Sequence, residues 1–516
     1  MQTLSLTAAA GLLGAAAVAA GAARVDAGDA ASLQQALAAA LAAGDASLLV
    51  PPGLYNFSAL PAAAPKTLDI SGASRFSLVS GGAVELVFPP SGGLRVDQSA
   101  DVSVVGPFAM DAWPLFTTQG AVSDGVRDGK WFNFTLALDE GFEMDDPARF
   151  VPSRAIFFNA TTRRMLRGQV LAVTSALALA PLGGGAWRVS VTFAANPTLV
   201  IPPGGVIAAL TPTVDGPNIL VQNSTRFAAS DVTSYAASGF TILELGGAGG
   251  HAWTRINVTR RPGSGRLMAS SADVFHSTAV AAGPTLVDSE LSFAGDDLFA
   301  VHCELGILWR RLNATAAYVI DTGAGFGLVE GVPGDELDFY GLNESMPRLG
   351  GARIAAAGLQ RVTNATLIAE AAGAAAYIKD VLHVTLRPFP VTLLLAVFDP
   401  PGLPPALGDY SALVELPARC GAGTLVRNCS LHDTNGGMRL KGSRVTVADT
   451  TVEIAYGMRM LPELFWTQSV SSNITLVNNT LIDCGCTTLG PHAIEYNPDI
   501  VGLRVENCSV VPAACV

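Results

Sequence analysis

The chain has 516 residues, of which 50% are hydrophobic and only 14% are charged, and its formal net charge is −12. A chain of this length does not build one compact core, so it forms either several domains or an elongated repeat fold that grows without thickening. No cluster of lysine and arginine is present to neutralise phosphates, which argues against nucleic acid as a partner. The acidic balance also weakly disfavours an anionic polymer as substrate.

Residues 1–23 are apolar and end in Gly21, Ala22 and Ala23. This pattern predicts a secretory signal peptide, although the usual basic start is missing. The alternative is a membrane anchor, but the run is short and rich in alanine, so we expect cleavage and secretion without a stable anchor. Twelve Asn-x-Ser/Thr sites also favour export, at Asn56, Asn133, Asn159, Asn223, Asn257, Asn313, Asn343, Asn364, Asn428, Asn473, Asn478 and Asn507. Those that fall inside repeated strands can equally be polar ladder positions.

After the leader, residues 31–44 have helical propensity and one apolar face, and they run into the strand-like segment SLLVPPGLYNF. This start resembles the N-terminal cap of right-handed parallel β-helix proteins of the pectin-lyase type. A solenoid needs such a cap because its first coil otherwise exposes the apolar interior. Residues 24–122 are therefore predicted to hold the cap and the first coils.

Two segments interrupt the coil pattern. Residues 123–210 contain charged and aromatic sequence, and the alternation of Trp187, Val189, Val191 and Phe193 indicates an antiparallel strand with one covered face. Residues 312–416 carry proline-rich strands of their own, which interior parallel coils tolerate poorly. Each is predicted to be an inserted β-barrel-like subdomain, and residues 211–311 between them return to coils.

The clearest repeat lies in residues 417–516. The segments 424–431, 445–452, 474–481 and 503–510 share apolar residues around a central Asn or Asp followed by Ser or Thr. Their offsets of 21, 29 and 29 residues fit coils with loops of variable length, on which stacked Asn and Thr form ladders. The sequence therefore predicts an all-β fold: a right-handed parallel β-helix with an N-terminal capping helix and two inserted subdomains.

Six of the seven cysteines follow residue 419, and they are Cys420, Cys429, Cys484, Cys486, Cys508 and Cys515. In an oxidising compartment we expect these six to pair within the C-terminal coils and to leave Cys303 as the free thiol. A metal site at Cys484 and Cys486 is disfavoured, because no Cys-x-x-Cys or His-rich partner accompanies them.

The chemistry is predicted to lie between residues 271 and 302. Asp273 is followed 23 and 24 residues later by Asp296 and Asp297. In a stacked coil that offset brings the chain back over its own start, about 4.8 Å higher, so the three carboxylates share one patch. The adjacent aspartates are expected at a bend, since regular alternation would turn one of them into the apolar core. The alternative is a plain Gly-Asp-Asp turn.

Nearby polar and aromatic residues suit a sugar, which offers an apolar face and hydroxyl groups at its edge. The predicted substrate-binding residues are His276, His302, Arg439, Lys441, Glu463 and Trp466. Arg439 and Lys441 are expected to alternate outward beside Leu440, with Arg459 on the next coil. Each also has a structural interpretation: solvated coil residues, a satisfied buried histidine, or a tryptophan that covers a loop.

The order Asp273, Asp296-Asp297, His302, then Arg439-x-Lys441 resembles that of polygalacturonases, although the Gly-His-Gly of that family is replaced by His302-Cys303. The segments ADVFH, GDDLFAVH, GDELDF and NCSLHDTNGGMRLKG with PELFW more closely resemble the α-1,3-galactosidases of glycoside hydrolase family 110. The sequence departs from that family at GMRLKG, where an Asn-Arg-x-Arg-Gly pattern is usual.

The resemblance implies an inverting glycoside hydrolase, acting at a terminal α-galactoside of an oligo- or polysaccharide, with no cofactor and no metal. In such enzymes one carboxylic acid protonates the leaving oxygen and another carboxylate activates water. By the polygalacturonase pattern Asp296 is the acid, while Asp273 and Asp297 hold the water. The residues themselves leave the reverse assignment open.

Two other function classes fit the same scaffold. A polysaccharide lyase, or a polygalacturonase-like enzyme, would act on uronate polymers, and the lyase would use carboxylate-bound calcium with Arg439 or Lys441 as base. A non-catalytic carbohydrate-binding solenoid would bind without turnover. EDTA separates the first class, since it inactivates a calcium-dependent lyase and spares a hydrolase.

Overall fold

The computed structural model describes residues 23–24, 29–128, 131–146, 150, 153–166, 177–192, 205–212, 216–321, 327–342, 346–382, 392–434, 436–461, 471–484, 486–487, 490–491, 493–496 and 500–511. The predicted signal peptide lies almost wholly outside these residues. Among them, no helix has the length and apolar character that a membrane crossing requires.

Two parallel sheets form a solenoid. The first sheet has nine strands, which are Thr67–Ser71, Gly93–Asp97, Ile219–Gln222, Ile242–Leu245, Phe275–Thr278, Phe299–His302, Met438–Leu440, Met458–Met460 and Ile494–Tyr496. Each strand pairs in parallel with the strand of the next coil. Most of these strands are preceded and followed in the chain by strands of the second sheet, so a coil crosses from one sheet to the other and back. The insertions enter before Ile219–Gln222 and after Phe299–His302.

The second parallel sheet has eighteen strands, arranged in two ladders. In chain order they are Ala23–Arg24, Ser47–Val50, Gly53–Asn56, Ser77–Ser80, Val84–Phe88, Ser103–Ala112, Ala228–Ser234, Ala252–Val258, Thr285–Val287, Glu290–Ala294, Leu425–Arg427, Ser430–Thr434, Thr446–Ala448, Thr451–Ala455, Thr475–Val477, Thr480–Cys484, Arg504–Glu506 and Ser509–Val511. The long strand Ser103–Ala112 joins the two ladders, because it pairs with Ser77–Ser80 at one end and with Val84–Phe88 at the other. The predicted all-β solenoid is confirmed.

Apolar side chains stack inside the solenoid from coil to coil. Phe275 and Phe299 are both fully buried, and their rings stack with centroids 5.0 Å apart. The ring of Trp253 packs edge-on against Phe275 at 5.5 Å. Stacking of identical positions fixes the register, because a slip of one residue would turn the interior set outward.

A row of hydrogen-bonded Asn and Asp side chains runs along the corner between the two rows of paired strands in the eighteen-stranded sheet. Asn and Asp occupy this corner with φ between 51° and 55°, at Asp288, Asn428, Asp449, Asn478 and Asn507. These two residue types tolerate the left-handed region better than other residues with a side chain. Asn428 donates to Asp288 at 2.7 Å and Asn478 donates to Asp449 at 3.1 Å. The predicted ladder is confirmed, and the paired strands have the predicted offsets of 21, 29 and 29 residues.

A helix from Ala30 to Ala43 caps the first coil, where the sequence predicted one. Asp29 begins it by accepting a hydrogen bond from the Ser32 N–H at 2.7 Å, and Gly44 ends it in the left-handed conformation at φ 72°. Leu33 and Leu37 are buried against the solenoid interior. The apolar end of the coil is therefore covered.

The first insertion is an antiparallel sheet with its own core. Its six strands lie in the order Ser153–Asn159, Val206–Pro212, Thr118–Asp128, Trp131–Leu138, Ala186–Thr192 and Leu177–Gly183. Val189 and Val191 are fully buried and Trp187 is half-buried, whereas Phe193 lies outside the described residues. The strands begin at Thr118 and end at Pro212, so the insertion extends beyond both ends of the predicted range 123–210.

A buried carboxylate attaches this insertion to the solenoid. The side chain of Asp433 has no exposed surface, and it accepts hydrogen bonds from Arg164 Nε at 2.6 Å and from the Met165 N–H at 2.8 Å. His432 Nδ1 lies 2.8 Å from the same carboxylate. Because the charge is fully bonded, it holds the insertion at a fixed place on the coils.

The second insertion is a closed six-stranded barrel. Its strands follow one another as Leu305–Asn313, Ala316–Asp321, Thr392–Phe398, Arg348–Arg361, Glu336–Tyr340 and Leu413–Glu415. A helix from Ala365 to Leu382 packs on the barrel through Ala371 and Ala374. The predicted range was 312–416, and the first strand begins earlier, directly after the coil strand that ends at His302. The remaining short elements are the 3-10 helices Phe57–Ala59, Leu328–Glu330 and Pro417–Arg419 and the pair Cys486–Thr487 with Gly490–Pro491.

The predicted cysteine pairing is wrong. Cys303 forms a disulfide with Cys420, whereas Cys429 and Cys508 carry free thiols. The two bonded residues are 117 positions apart, but they stand on either side of the barrel, whose first and last strands pair with each other. Closure of the barrel therefore brings Cys303 and Cys420 together. Their separation along the chain gives no sign of this contact.

We expect the double variant Cys303→Ala/Cys420→Ala to be less stable than the parent protein. In the chain-entropy account, closing a loop of this length contributes about 4 to 5 kcal/mol to the free energy of unfolding. Urea denaturation of both proteins measures the difference. Cys508→Ala is the control and should change the free energy by less than about 0.5 kcal/mol. Equal stabilities, together with seven titratable thiols in the denatured parent protein, would contradict the disulfide.

Candidate active site

The coil register stacks two aspartates. Asp273 and Asp297 each lie two residues before a strand of the nine-stranded sheet, and these strands pair with Phe275 opposite Phe299. Asp297 therefore stands over Asp273 at a spacing of about 4.8 Å. The 24-residue offset read from the sequence is the observed length of this coil.

Asp296 joins them from a bend. The chain leaves the strand Glu290–Ala294 and bends at Asp296 before the next strand begins, as the sequence predicted. The side chain of Asp296 is 29% exposed, that of Asp273 8% and that of Asp297 5%. Carboxylate oxygens of the three lie within 4.8 Å of one another. The predicted acidic patch is present, with Asp296 at its solvent side.

Two arginines neutralise part of this charge. Arg439 Nε lies 2.5 Å from Asp297 Oδ2, and Arg154 Nη2 lies 2.5 Å from Asp296 Oδ2. Arg154 also donates to the carbonyl oxygen of Ser271 at 3.1 Å. Arg439 was predicted to bind substrate and here contacts a catalytic candidate. Arg154 was missed, because it comes from the first insertion and nothing in its local sequence marks it.

The two glycines of the segment NGGMRLKG lie close to the Asp297 carboxylate and to the following coil. The Gly437 N–H donates to Asp297 Oδ1 at 3.0 Å. A side chain at Gly436 would overlap the same carboxylate oxygen, because the ideal Cβ position lies against Asp297 Oδ1 and close to the Asp297 backbone. Gly436 therefore lets this coil approach the carboxylate closely, whereas a side chain at Gly437 would meet the backbone of Gly457 on the following coil.

The two histidines lie behind Asp273. His276 Nδ1 is 2.6 Å from Asp273 Oδ2, and His302 Nε2 is 3.0 Å from His276 Nε2. His276 is 6% exposed and His302 1%. The sequence predicted both as substrate-binding residues, but in the structure their ring nitrogens contact Asp273 and each other.

Burial governs the titration of the site. Burial and the negative charge of Asp296 together raise the pKa of Asp273 to about 8, against the opposing effect of Arg439. Burial likewise raises the pKa of Asp297 to about 8, with Arg439 opposing and Asp296 adding to it. The patch therefore retains a proton at neutral pH beside carboxylates that can accept one, as acid–base chemistry needs.

The other predicted site residues are placed differently. Lys441 lies two residues after Arg439, on the opposite side of the chain from the core residues Met438 and Leu440, but it is fully buried rather than exposed to a substrate. Glu463 and Trp466 lie outside the described residues. Tyr456 was missed and lies one coil above Gly436, to whose carbonyl its N–H donates at 2.7 Å. Burial raises the pKa of the Tyr456 hydroxyl, Arg459 opposes that rise, and the charges of Glu495 and Asp296 add to it.

The three carboxylates could also offer ligands to a cation. Two of them already pair with arginine, so a metal ion would compete with Arg154 and Arg439 for the same oxygens. A second cluster consists of Glu415 with Cys303 and Cys420. Its sulfurs are bonded to each other and are not thiolate ligands.

Comparison with known proteins gives remote likenesses only. No protein-family model and no curated protein matches the chain. Among solved structures it is similar to a polygalacturonase from Erwinia carotovora ssp. carotovora, with 10% identity, a TM-score of 0.29, and coverage of 95% of this chain and 96% of that one. It is also similar to the tailspike protein of Pseudomonas phage LKA1, with 10% identity, a TM-score of 0.22, and coverage of 93% and 56%.

A third likeness is to the catalytic domain of a GH87 α-1,3-glucanase in complex with nigerose. It has 8% identity, a TM-score of 0.20, and coverage of 96% of this chain and 68% of that one. Likenesses at these identities and TM-scores assign neither activity nor substrate to this chain.

The raised pKa of Asp273 predicts how stability depends on pH. A carboxyl whose pKa is higher in the folded chain stabilises the fold below its unfolded pKa, and that contribution is lost as pH rises toward the folded value. Here the window runs from 3.8 to about 8. Asparagine imitates the protonated form, so Asp273→Asn should raise the melting temperature at pH 8 and change it little at pH 4.

The matched control is Asp449→Asn. Asp449 is exposed at a solenoid corner with φ 52°, which asparagine also adopts. This variant should melt like the parent protein at both pH values. If Asp273→Asn also showed no pH-dependent difference, Asp273 would not hold a proton in the folded chain.

Proposed function

We propose that this protein is a carbohydrate-active glycoside hydrolase whose active site is the patch of Asp273, Asp296 and Asp297. The observation that supports it most is the combination of three carboxyl groups within reach of one another, two of them with raised pKa. Glycosidic hydrolysis requires a protonated carboxyl that acts as the acid and a neighbouring carboxylate that acts as the base or nucleophile. The motif order that resembles polygalacturonases and α-1,3-galactosidases supports the same reaction.

The proposed mechanism is inverting. A retaining enzyme needs a carboxylate that attacks the anomeric carbon, whereas Asp296 and Asp297 are each held by a guanidinium at 2.5 Å. Such charge-assisted pairing lowers nucleophilicity but leaves oxygens that can orient a water. The oxygens lie within 4.8 Å, which is nearer to the ~5 Å carboxyl separation of retaining enzymes than to the ~6.5–9.5 Å of inverting ones. The anomeric configuration of the product is therefore the decisive measurement.

The proposed substrate is a terminal α-galactoside. The resemblance to α-1,3-galactosidases supports the sugar, and the two insertions support action at a chain end. Arg154 reaches the patch from the first insertion, and the second begins at Leu305, directly after the site strand ending at His302. The first insertion, which brings Arg154 to the patch, favours a pocket over an open groove for a long polymer. Export after cleavage of residues 1–23 is part of the same proposal.

The test is a screen of nitrophenyl glycosides and α-galactosyl-capped oligosaccharides, followed by Asp273→Asn, Asp296→Asn and Asp297→Asn. Loss of a general acid or base lowers turnover by about 10²- to 10⁴-fold. Each variant should show such a loss, and Asp449→Asn should show none. Inverted product by NMR and activity retained in EDTA are expected. If any two of the three variants keep the parent rate, the active site lies elsewhere, and inactivation by EDTA would favour the lyase.

Gly436→Ala tests the geometry without changing a titratable group. The new methyl group would press on Asp297 Oδ1, so we expect turnover to fall by at least about 10²-fold, as for a misplaced reacting group. Gly373→Ala is the control, because Gly373 lies in the helix Ala365–Leu382 with open space around its Cβ position. That change should leave turnover intact. An unchanged rate in Gly436→Ala would show that the placement of Asp297 does not matter for the reaction.

A further inference from the structure

A continuous hydrogen-bonded chain runs inward from Asp273. Asp273 Oδ2 contacts His276 Nδ1 at 2.6 Å, and His276 Nε2 contacts His302 Nε2 at 3.0 Å. His302 Nδ1 lies 3.0 Å from the carbonyl oxygen of Cys303 and 3.3 Å from Thr278 Oγ1. The direction of each hydrogen bond decides where the protons are.

The Cys303 carbonyl fixes that direction. A carbonyl oxygen only accepts, so the 3.0 Å contact requires a proton on His302 Nδ1. Thr278 Oγ1 donates to Glu304 Oε1 at 3.2 Å, which leaves its oxygen as a second acceptor for the same proton. A neutral His302 then has a lone pair on Nε2, and the His276 Nε2–H donates to it.

His276 consequently turns an unprotonated Nδ1 toward Asp273 unless it carries a positive charge. The 2.6 Å contact then requires a proton on this bond, carried by the Asp273 carboxyl or shared with His276. A bare carboxylate facing a bare imidazole nitrogen at this distance would be repulsive. The chain therefore holds one proton at Asp273 that the site can give up.

The charges around the chain favour the same state. Burial and the negative charge of Asp296 raise the pKa of Asp273, whereas Arg439, Arg154 and the Asp297 N–H, which donates to the Asp273 carboxyl, act against that rise. On the far side, Glu304 faces His302 through Thr278, and the buried Lys441 follows Leu440, which pairs with Val301 on the coil above. The uncharged ring of Phe240 packs on His276 with centroids 4.8 Å apart.

The other two aspartates have guanidinium partners. Arg154 pairs with Asp296 and Arg439 pairs with Asp297, each at 2.5 Å, and Arg439 opposes the rise that burial gives to the pKa of Asp297. Asp273 has a neutral or shared-proton partner in His276 instead. Of the three, Asp273 is the group equipped to donate a proton, and the other two are equipped to accept one.

We propose that Asp273 is the general acid of the hydrolysis, in contrast to the assignment of Asp296 implied by the polygalacturonase pattern, and that His276 and His302 are positioning residues that keep it protonated. This inference rests on the proposed function. In the step, the Asp273 O–H turns from His276 Nδ1 to the glycosidic oxygen and its proton passes there, while the bond from that oxygen to the anomeric carbon breaks with its electron pair on the oxygen. A water oxygen bonds to the anomeric carbon while its proton passes to the Asp296 or Asp297 carboxylate. Exchange with solvent then returns both groups to their starting forms.

Leaving-group dependence tests the assignment directly. A general acid is needed for an alcohol leaving group but not for 2,4-dinitrophenolate, which departs without protonation. We expect Asp273→Asn to lower kcat/KM by about 10²- to 10⁴-fold on an α-galactosyl-capped oligosaccharide and by less than about 10-fold on the 2,4-dinitrophenyl α-galactoside. Asp296→Asn should lower both alike. The reverse pattern, with the split in Asp296→Asn, would overturn the proposal.

The histidines are tested through the pH profile of kcat/KM. Activity that needs protonated Asp273 falls as pH rises through its pKa, so the alkaline limb reports that group. His302→Leu removes the acceptor of the His276 proton, frees His276 to donate to an Asp273 carboxylate, and should move the limb to lower pH by about one unit, the value of one hydrogen bond. His302→Gln keeps an acceptor there and should restore most of the shift. An alkaline limb that neither variant moves would overturn the positioning role.

Nitrogen-15 NMR of histidine-labelled wild-type protein gives a readout that does not depend on turnover. The chain has six histidines, and His276→Gln and His302→Gln assign the two signals. We expect His302 in the Nδ1–H form and a strongly downfield proton on the Asp273–His276 bond that Asp296→Asn retains. A His302 protonated on Nε2 beside an ionised Asp273 at pH 7 would overturn the proposal even if the enzyme is active. If no glycoside is turned over while the NMR result holds, the proposed function fails and the proton chain stands.

Discussion

The parallel register between the strands Phe275–Thr278 and Phe299–His302 is the constraint on which the candidate site depends. It places positions 24 residues apart in the chain one strand spacing apart in space. The stacked rings of Phe275 and Phe299 lock it from inside, since a slip would unstack them. Asp273 and Asp297 are close because the buried strands that follow them are held in this register by their apolar side chains.

Holding two aspartates in a nearly dry environment costs stability, and the surroundings offset that cost unequally. Asp297 receives a guanidinium and a backbone N–H, whereas Asp273 receives a backbone N–H and a histidine. Different partners for adjacent carboxyls push them toward different protonation states, which is how a site divides the roles of acid and base. The solenoid supports this arrangement because each coil is packed between the coil before it and the coil after it, which fixes the side chains of the site.

The sequence predicted the features that repeat along the chain. The coil offsets, the Asn and Asp corners, the capping helix and the bend at Asp296 all follow from local patterns whose period the coil imposes. Features created by the insertions could not be predicted in this way. Arg154 enters the site from a separate antiparallel sheet, and the Cys303–Cys420 bond depends on closure of a barrel between them. The burial of Lys441 was missed for a related reason, because strand alternation says nothing about what later packs over a face.

The most direct measurement of the central claim is a crystal structure of the Asp296→Asn variant with an α-galactosyl-capped oligosaccharide bound. The account predicts the terminal sugar with its glycosidic oxygen within hydrogen-bonding distance of Asp273. It also predicts a water held by Asp297 on the opposite side of the anomeric carbon. A sugar bound on another face of the solenoid, or one whose anomeric carbon lies far from all three aspartates, would contradict it.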